Sequence, residues 1–136
     1  MSNRGSVHHL ELWVADLNEA IESWGWLLER LGYQLSDQWT NGRSWHQHQM
    51  YIVLEAGPDR VVARHDRLRP GLNHVAFFAG SRSEVDAIVT EAHDHGWNLL
   101  FPDRHPFAGG STTYTGYLEN SAGFEVELVA NDEVTI

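Results

Sequence analysis

The chain contains no cysteine. That excludes disulfides, thiolate nucleophiles and cysteine-based zinc sites together, so any bound metal has to sit among nitrogen and oxygen ligands. It also lacks long hydrophobic runs. No apolar stretch approaches the ~18 to 20 residues needed to cross a bilayer. The opening Met1-Ser2-Asn3-Arg4-Gly5 has no apolar region of the signal-peptide kind. The expectation is a cytoplasmic protein without a membrane partner. Basic residues are scarce as well: 9 Lys and Arg face 19 Asp and Glu, a formal net charge of −10. Duplex nucleic acid is bound by basic surface, so nucleic acid is not expected as a partner. What remains is ordinary globular composition, 42% hydrophobic and 21% charged, in 136 residues, enough for one domain with a proper core.

The most informative feature present is a duplication. Val7-His8-His9-Leu10 running to Gly32 matches Leu72-Asn73-His74-Val75 running to Gly96. In each copy a histidine opens an apolar strand, a helix-start residue (Asp16 or Ser81) follows seven residues later, and a glycine closes an amphipathic helix. A duplicated unit with a duplicated histidine points to a pseudo-symmetric site to which both halves contribute a ligand.

The chain reads as β-α-β-β-β twice. Val7 to Val14 is a strand. Leu17 to Leu31 is a helix whose stripe is Leu17, Ala20, Ile21, Trp24, Leu27, Leu28 and Leu31, with Asp16 and Glu19 as a capping pair and Gly32 at the left-handed position beyond the end. Tyr33 to Trp39, Ser44 to Gln49 and Met50 to Ala56 are strands, with Asn41-Gly42 as a hairpin turn. In the second half Leu72 to Ala79 is a strand, and Glu84 to His95 is a helix behind a Ser81-to-Glu84 capping box. Asn98 to Phe101, Thr112 to Glu119 and Phe124 to Ala130 are strands. Module one covers about 6–57, an arginine-bearing linker about 58–70 and module two about 71–130, with Asn131 to Ile136 as a loose tail. The fold class is α+β.

Side chains alternate along a strand. If Leu10, Leu12 and Val14 face the helix, then His9, Glu11 and Trp13 face away. The same parity sends His74, Ala76 and Phe78, then Tyr51, Val53 and Glu55, then Glu125 and Glu127, to the side away from the helices. His9, His74, Glu127 and Glu55 thus share a concave face. Two imidazoles and one or two carboxylates without sulfur suit a divalent metal with open positions. The metal could be Zn, Ni, Fe, Mn or Co. Glu11 and Glu125 have the same parity and are expected at the rim or paired with arginine. Glu127 could alternatively pair with an arginine, and Glu55 could be a solvated strand end. His8 is expected toward the helix side or the surface. His46, His48, His93, His95 and His105 read as surface. Trp24 belongs to the core, Trp13 has pocket parity, and Trp39, Trp45 and Trp97 are undecided. The loop from Arg104 to Gly110 could cover the mouth of the pocket.

Three segments, Val7-His8-His9-Leu10 with Val14-Ala15-Asp16-Leu17, Leu72-Asn73-His74-Val75-Ala76-Phe77, and Tyr117 to Leu128, give the chain a resemblance to the vicinal oxygen chelate superfamily. That superfamily includes glyoxalase I, extradiol dioxygenases and bleomycin-resistance proteins. The resemblance covers nearly the whole chain. It implies two tandem βαβββ modules whose sheets curl into a barrel-like cup around one divalent metal, and often a homodimer. Its ligand positions fall on His9, His74 and Glu127. The fourth, in the glyoxalase pattern, falls nearer Val53, whereas this chain has Glu55 two residues on; a bulge or a small shift would bring Glu55 in. With Glu55 the set resembles glyoxalase I, in which a metal holds a small-molecule substrate through adjacent oxygens and a glutamate moves the proton; Glu127 and Glu55 are then the catalytic candidates. Without it, His9, His74 and Glu127 resemble the two-His, one-carboxylate set of Fe(II) dioxygenases. A third branch binds aromatic or cationic drugs without metal. Trp13, Phe78 and Tyr117 are candidate pocket residues.

Overall fold

Two stretches of alternating apolar residues anchor the fold. In the computed structural model, which describes residues 2–131, the chain divides between Ala63 and Arg64 into two compact units. Each has the same topology.

In unit one, β1 (His9–Trp13) is followed by a helical segment and by β2 (Gln34–Trp39), β3 (Gly42–Gln47) and β4 (Met50–Glu55). The sheet order is β1-β4-β3-β2, with β1 and β4 parallel and the other neighbours antiparallel. Parity decides the faces as expected: Leu12 and Val14 are buried, while His9, Glu11 and Trp13 are exposed. The core packs Trp24, Leu27 and Leu28 with Trp45, Ile52 and Leu54.

The expected single helix is interrupted. Leu17–Ala20 (α1) and Trp26–Arg30 (α2) are α-helical, and Ile21–Gly25 between them is a π turn. The turn buries three consecutive residues, Ser23, Trp24 and Gly25. The reason for glycine is visible: a Cβ at Gly25 would stand 3.0 Å from Cζ2 of the buried Trp45. The hairpin turn also differs from expectation. Gly42 is the first residue of β3, paired with Trp39, and the turn is Thr40 and Asn41. Gly42 is needed for close approach, since a Cβ there would lie 2.5 Å from the Trp39 ring.

In unit two, β5 (Val75–Phe78), α3 (Arg82–Ala92), a 3-10 turn (His93–His95), β6 (Trp97–Leu99), β7 (Thr115–Asn120) and β8 (Glu125–Val129) follow in order. The sheet order is β5-β8-β7-β6, with β5 and β8 parallel. Both predicted caps form: Asp16 accepts from the Glu19 amide at 3.1 Å and Ser81 from the Glu84 amide at 3.2 Å. Phe77, Val85, Ile88, Trp97, Leu118, Val126 and Leu128 make the core.

Residues Arg64 to Arg67, expected within a linker, are docked on unit two. The His65 ring stacks on Phe124 at 4.3 Å, and its amide donates to the Ala122 carbonyl at 2.9 Å. Asn131, expected in a loose tail, is tied to Gly80 in both directions, at 2.8 and 2.9 Å. The rest of the tail, 132–136, lies outside the described residues. No helix among the described residues is long and apolar enough to cross a membrane.

Candidate functional site

The parallel register of β5 and β8 sets Ala76 beside Glu127 and Val75 beside Val126. His74, just ahead of β5, therefore reaches across to the carboxylates of β8. Its Nε2 stands 3.3 Å from Glu127 Oε1. Its Nδ1 is 2.6 Å from Asn73 Oδ1 and 3.9 Å from Glu125 Oε2. The other Glu127 oxygen, Oε2, accepts from the Thr115 hydroxyl at 3.0 Å. Tyr117 lies opposite Glu127 on β7 and donates its hydroxyl to that carboxylate. Burial raises the Tyr117 pKa, and the charge and hydrogen bond of Glu127 raise it further, so the phenol stays protonated at neutral pH. The loop before β7 closes over this group: a Cβ at Gly109 would stand 3.1 Å from Tyr117 Oη and 3.5 Å from Glu127 Oε2.

Glu125, two residues earlier on β8, is 4% exposed. Arg67 reaches it through Nη1 at 3.0 Å and reaches Glu119 through Nε at 2.9 Å. The 3.0 Å pair lacks hydrogen-bond angles, and Glu125 Oε1 has no other partner. Burial is accordingly the largest influence on Glu125 and raises its pKa; Arg67, then His74, pull it back.

Unit one presents the inner face of its own sheet. Successive rows across β1, β4 and β3 are His9, Tyr51, His46; then Glu11, Val53, Ser44; then Trp13, Glu55, Gly42. A register shift between Leu35 and Asp37 on β2 bends that strand, and Ser36 and Asp37 both reach the same concavity. The concavity, ≈ 330 Å³, is lined by His9, Glu11, Ser36, Asp37, Trp39, Ser44, Tyr51 and Val53. The His9 ring stacks on Tyr51 at 4.8 Å, with planes 4° apart. His8, expected toward the helix side or the surface, is exposed. It precedes the strand, escapes the alternation, and brings its Nδ1 to 2.8 Å from His9 Nδ1.

Glu55 stands apart from His9 within this sheet. The register runs unbroken from His9 beside Tyr51 to Trp13 beside Glu55. Four residues of strand, about 13 Å, separate the two levels. No bulge in β4 shortens that distance, and Glu55 accepts from Trp39 Nε1 at 2.8 Å. Trp13 is 52% exposed and donates to Glu11 at 2.6 Å, and Phe78 is 77% exposed. His46 is exposed and meets the Ser36 hydroxyl at 2.5 Å; His48, at φ 55, is the turn between β3 and β4. Trp45 and Trp97 are fully buried core. Among the described residues there is no group of three or more His, Asp or Glu side chains arranged to hold a metal. Unit two brings together one imidazole nitrogen and one carboxylate oxygen, those of His74 and Glu127.

Sequence reasoning expected Glu125 at the rim or paired with an arginine, and Arg67 is that arginine, but it gave no role to Asn73 or Thr115 and did not single out Arg67. Thr115 shares the strand parity of Tyr117, and Asn73 adjoins His74, so both could have been found. Arg67 could not, because nothing in its neighbours pairs it with Glu125.

The model of the Glyoxalase/Bleomycin resistance protein/Dioxygenase superfamily matches residues 8–117. That span includes His9, Glu55 and His74 and ends before Glu127. The chain belongs to this superfamily. It is 40% identical over 125 residues to the uncharacterized protein YqjT of Bacillus subtilis, covering 91% of this chain and 98% of YqjT. A Bacillus halodurans crystal structure of a candidate glyoxalase is also 40% identical, with a TM-score of 0.88 over 94% of this chain and 97% of that one. The lactoylglutathione lyase structure from Agrobacterium tumefaciens shares the fold at 18% identity, with a TM-score of 0.63 over 96% of both chains.

Proposed function

We propose that the protein is a metal-dependent enzyme of glyoxalase type, acting on a small substrate through two adjacent oxygens with isomerase or lyase chemistry. The observation that carries this is the facing of His74 Nε2 and Glu127 Oε1 at 3.3 Å. The remaining polar atoms of both groups are committed, Nδ1 to Asn73 and Oε2 to Thr115. An imidazole lone pair and a carboxylate oxygen at that distance call for a cation or a proton between them. The donor set, nitrogen and oxygen without sulfur, fits one divalent metal of the Zn, Ni, Fe, Mn or Co kind. Two ligands are too few for such an ion, so the reading requires more. His9 holds the position in module one that His74 holds in module two, and it is the proposed third. A bound divalent metal would supply a Lewis acid for the substrate oxygens.

In this scheme Glu127 moves the proton. It takes it from the carbon next to a carbonyl and returns it to the neighbouring carbon, so that no oxidant is needed. Thr115 holds its Oε2, and the Tyr117 phenol, kept protonated, donates to it and fixes its direction. Glu55 is hydrogen-bonded to Trp39 about 13 Å along the sheet from the level of His9, and whether it takes part as fourth ligand or base is the point the experiment decides. An extradiol-type Fe(II) dioxygenase would use His9, His74 and Glu127 alone.

The test is metal content by mass spectrometry on protein purified without chelator, for wild type, His9→Ala, His74→Ala and Glu55→Ala. About one metal per chain, lost in both histidine variants, is the expected result. Loss in Glu55→Ala as well favours four ligands and glyoxalase chemistry, whereas retention of iron with oxygen uptake on catechols favours the dioxygenase. A wild type that takes up no metal even on reconstitution refutes both. A second reading then stands on the unit-one concavity. Its lining has two carboxylates, Glu11 and Asp37, with Trp39 and Tyr51 and no basic side chain beyond His9. That lining suits capture of an aromatic cation.

A further inference from the structure

The amide of Asn73 is held at both ends. Its Nδ2 donates to the Arg67 carbonyl at 3.0 Å, and its Oδ1 stands 2.6 Å from His74 Nδ1. A carbonyl only accepts, so the end of the amide facing Arg67 has to be the NH2. The flip is thereby decided by the backbone. Oδ1 is left facing the ring and also only accepts, so His74 Nδ1 has to carry a hydrogen. Glu125 Oε2, at 3.9 Å, is too distant to make that bond itself. In the neutral ring the second nitrogen, Nε2, then bears the lone pair, and Nε2 is the atom aimed at Glu127 Oε1.

We infer that Asn73 is a positioning residue which locks His74 in the Nδ1–H tautomer and so reserves Nε2 as the ligating atom. The lock begins outside the sheet. Arg67 sits in the segment docked on unit two, where Arg64 and Arg67 both bind Glu119. The carbonyl that fixes Asn73 is thus itself held by the ion pairs of that segment. The tautomer follows from geometry within unit two; its consequence for metal affinity rests on the function proposed above.

The experiment is 15N NMR of the histidine rings in metal-free protein, which reads directly which ring nitrogen carries a hydrogen. His74 is assigned with His74→Gln, and wild type is compared with Asn73→Leu and Asn73→Asp. The expected wild-type spectrum shows a hydrogen on Nδ1. Asn73→Leu should lose that preference, and Asn73→Asp, which keeps an acceptor oxygen, should restore it. A merely structural role for Asn73 would not move this signal. Wild type with a hydrogen on Nε2 and none on Nδ1, or Asn73→Leu with an unchanged Nδ1–H, overturns the inference; the first outcome requires no folded variant. Zn2+ titration by calorimetry on the same proteins should show affinity weakened about 10- to 100-fold in Asn73→Leu. If wild type binds no Zn2+, the metal function fails while the NMR result still stands or falls alone.

Discussion

Replacing Arg67 with methionine keeps the aliphatic stem and removes the charge that faces Glu125. The carboxylate is 4% exposed, and burial already outweighs Arg67 in setting its pKa. Without the guanidinium it can escape an uncompensated buried charge by taking up a proton. That escape sets an upper bound on the damage. Protonating a carboxyl of ordinary pKa 4.5 at pH 7 spans about 2.5 units, or about 3.4 kcal/mol at 1.36 kcal/mol per unit. Glu119 keeps Arg64 at 3.2 Å, so its lost pairing adds no more than about 1 kcal/mol. The sign follows from linkage. A carboxyl whose folded pKa lies above its unfolded pKa binds more protons when folded between the two values. Stability therefore falls as pH rises through that window and is restored below it. Urea denaturation should show Arg67→Met losing about 2 to 4 kcal/mol at pH 7 and roughly 1 to 2 kcal/mol at pH 5. Glu125→Gln in the same background should recover most of the loss at pH 7. A penalty as large at pH 5 as at pH 7, or one that Glu125→Gln does not relieve, would refute the assignment of the cost to a buried charge.

Gly123→Ala should destabilise strongly, by about 2 kcal/mol or more, because φ is +92 and a Cβ would lie 2.2 Å from the His65 carbonyl oxygen. Thermal unfolding should place it below Gly110→Ala, where φ is +121 but open space surrounds the Cβ. Ser81→Ala removes the acceptor for the Glu84 amide and should cost about 1 kcal/mol in urea titration, with metal content unchanged. A full-stability Ser81→Ala would show that α3 is held by Val85, Ile88 and Ala92 alone.

Much of the fold could be read from residue order. Strand parity placed Leu12 and Val14 inside and His9, Glu11 and Trp13 outside, because a period of two leaves no freedom once one face is buried. Ser81 and Asp16 marked helix starts through a bond that spans only three residues. The need for glycine at position 25, inside the π turn, was not legible, since its reason is Trp45, which arrives from β3. Nor was the role of Gly42: Asn41-Gly42 reads as a turn locally, but the Trp39 ring crossing it demands the glycine.

The same division runs through the site. The sequence by itself determined the two-module α+β fold, the superfamily, the duplicated histidines and the parity that turns Glu127 away from its helix, all of them local or periodic properties. Tertiary structure alone decided which oxygen of Glu127 faces His74, which nitrogen of His74 faces Glu127, and that Arg67 answers Glu125. It also set Glu55 on Trp39, about 13 Å along the sheet from the level of His9. Those facts depend on strand register and on segments distant in sequence meeting at a few ångströms, as Arg67 and Glu125 do at 3.0 Å. A pattern of residue types carries the period of a strand but not the partner it will be laid against.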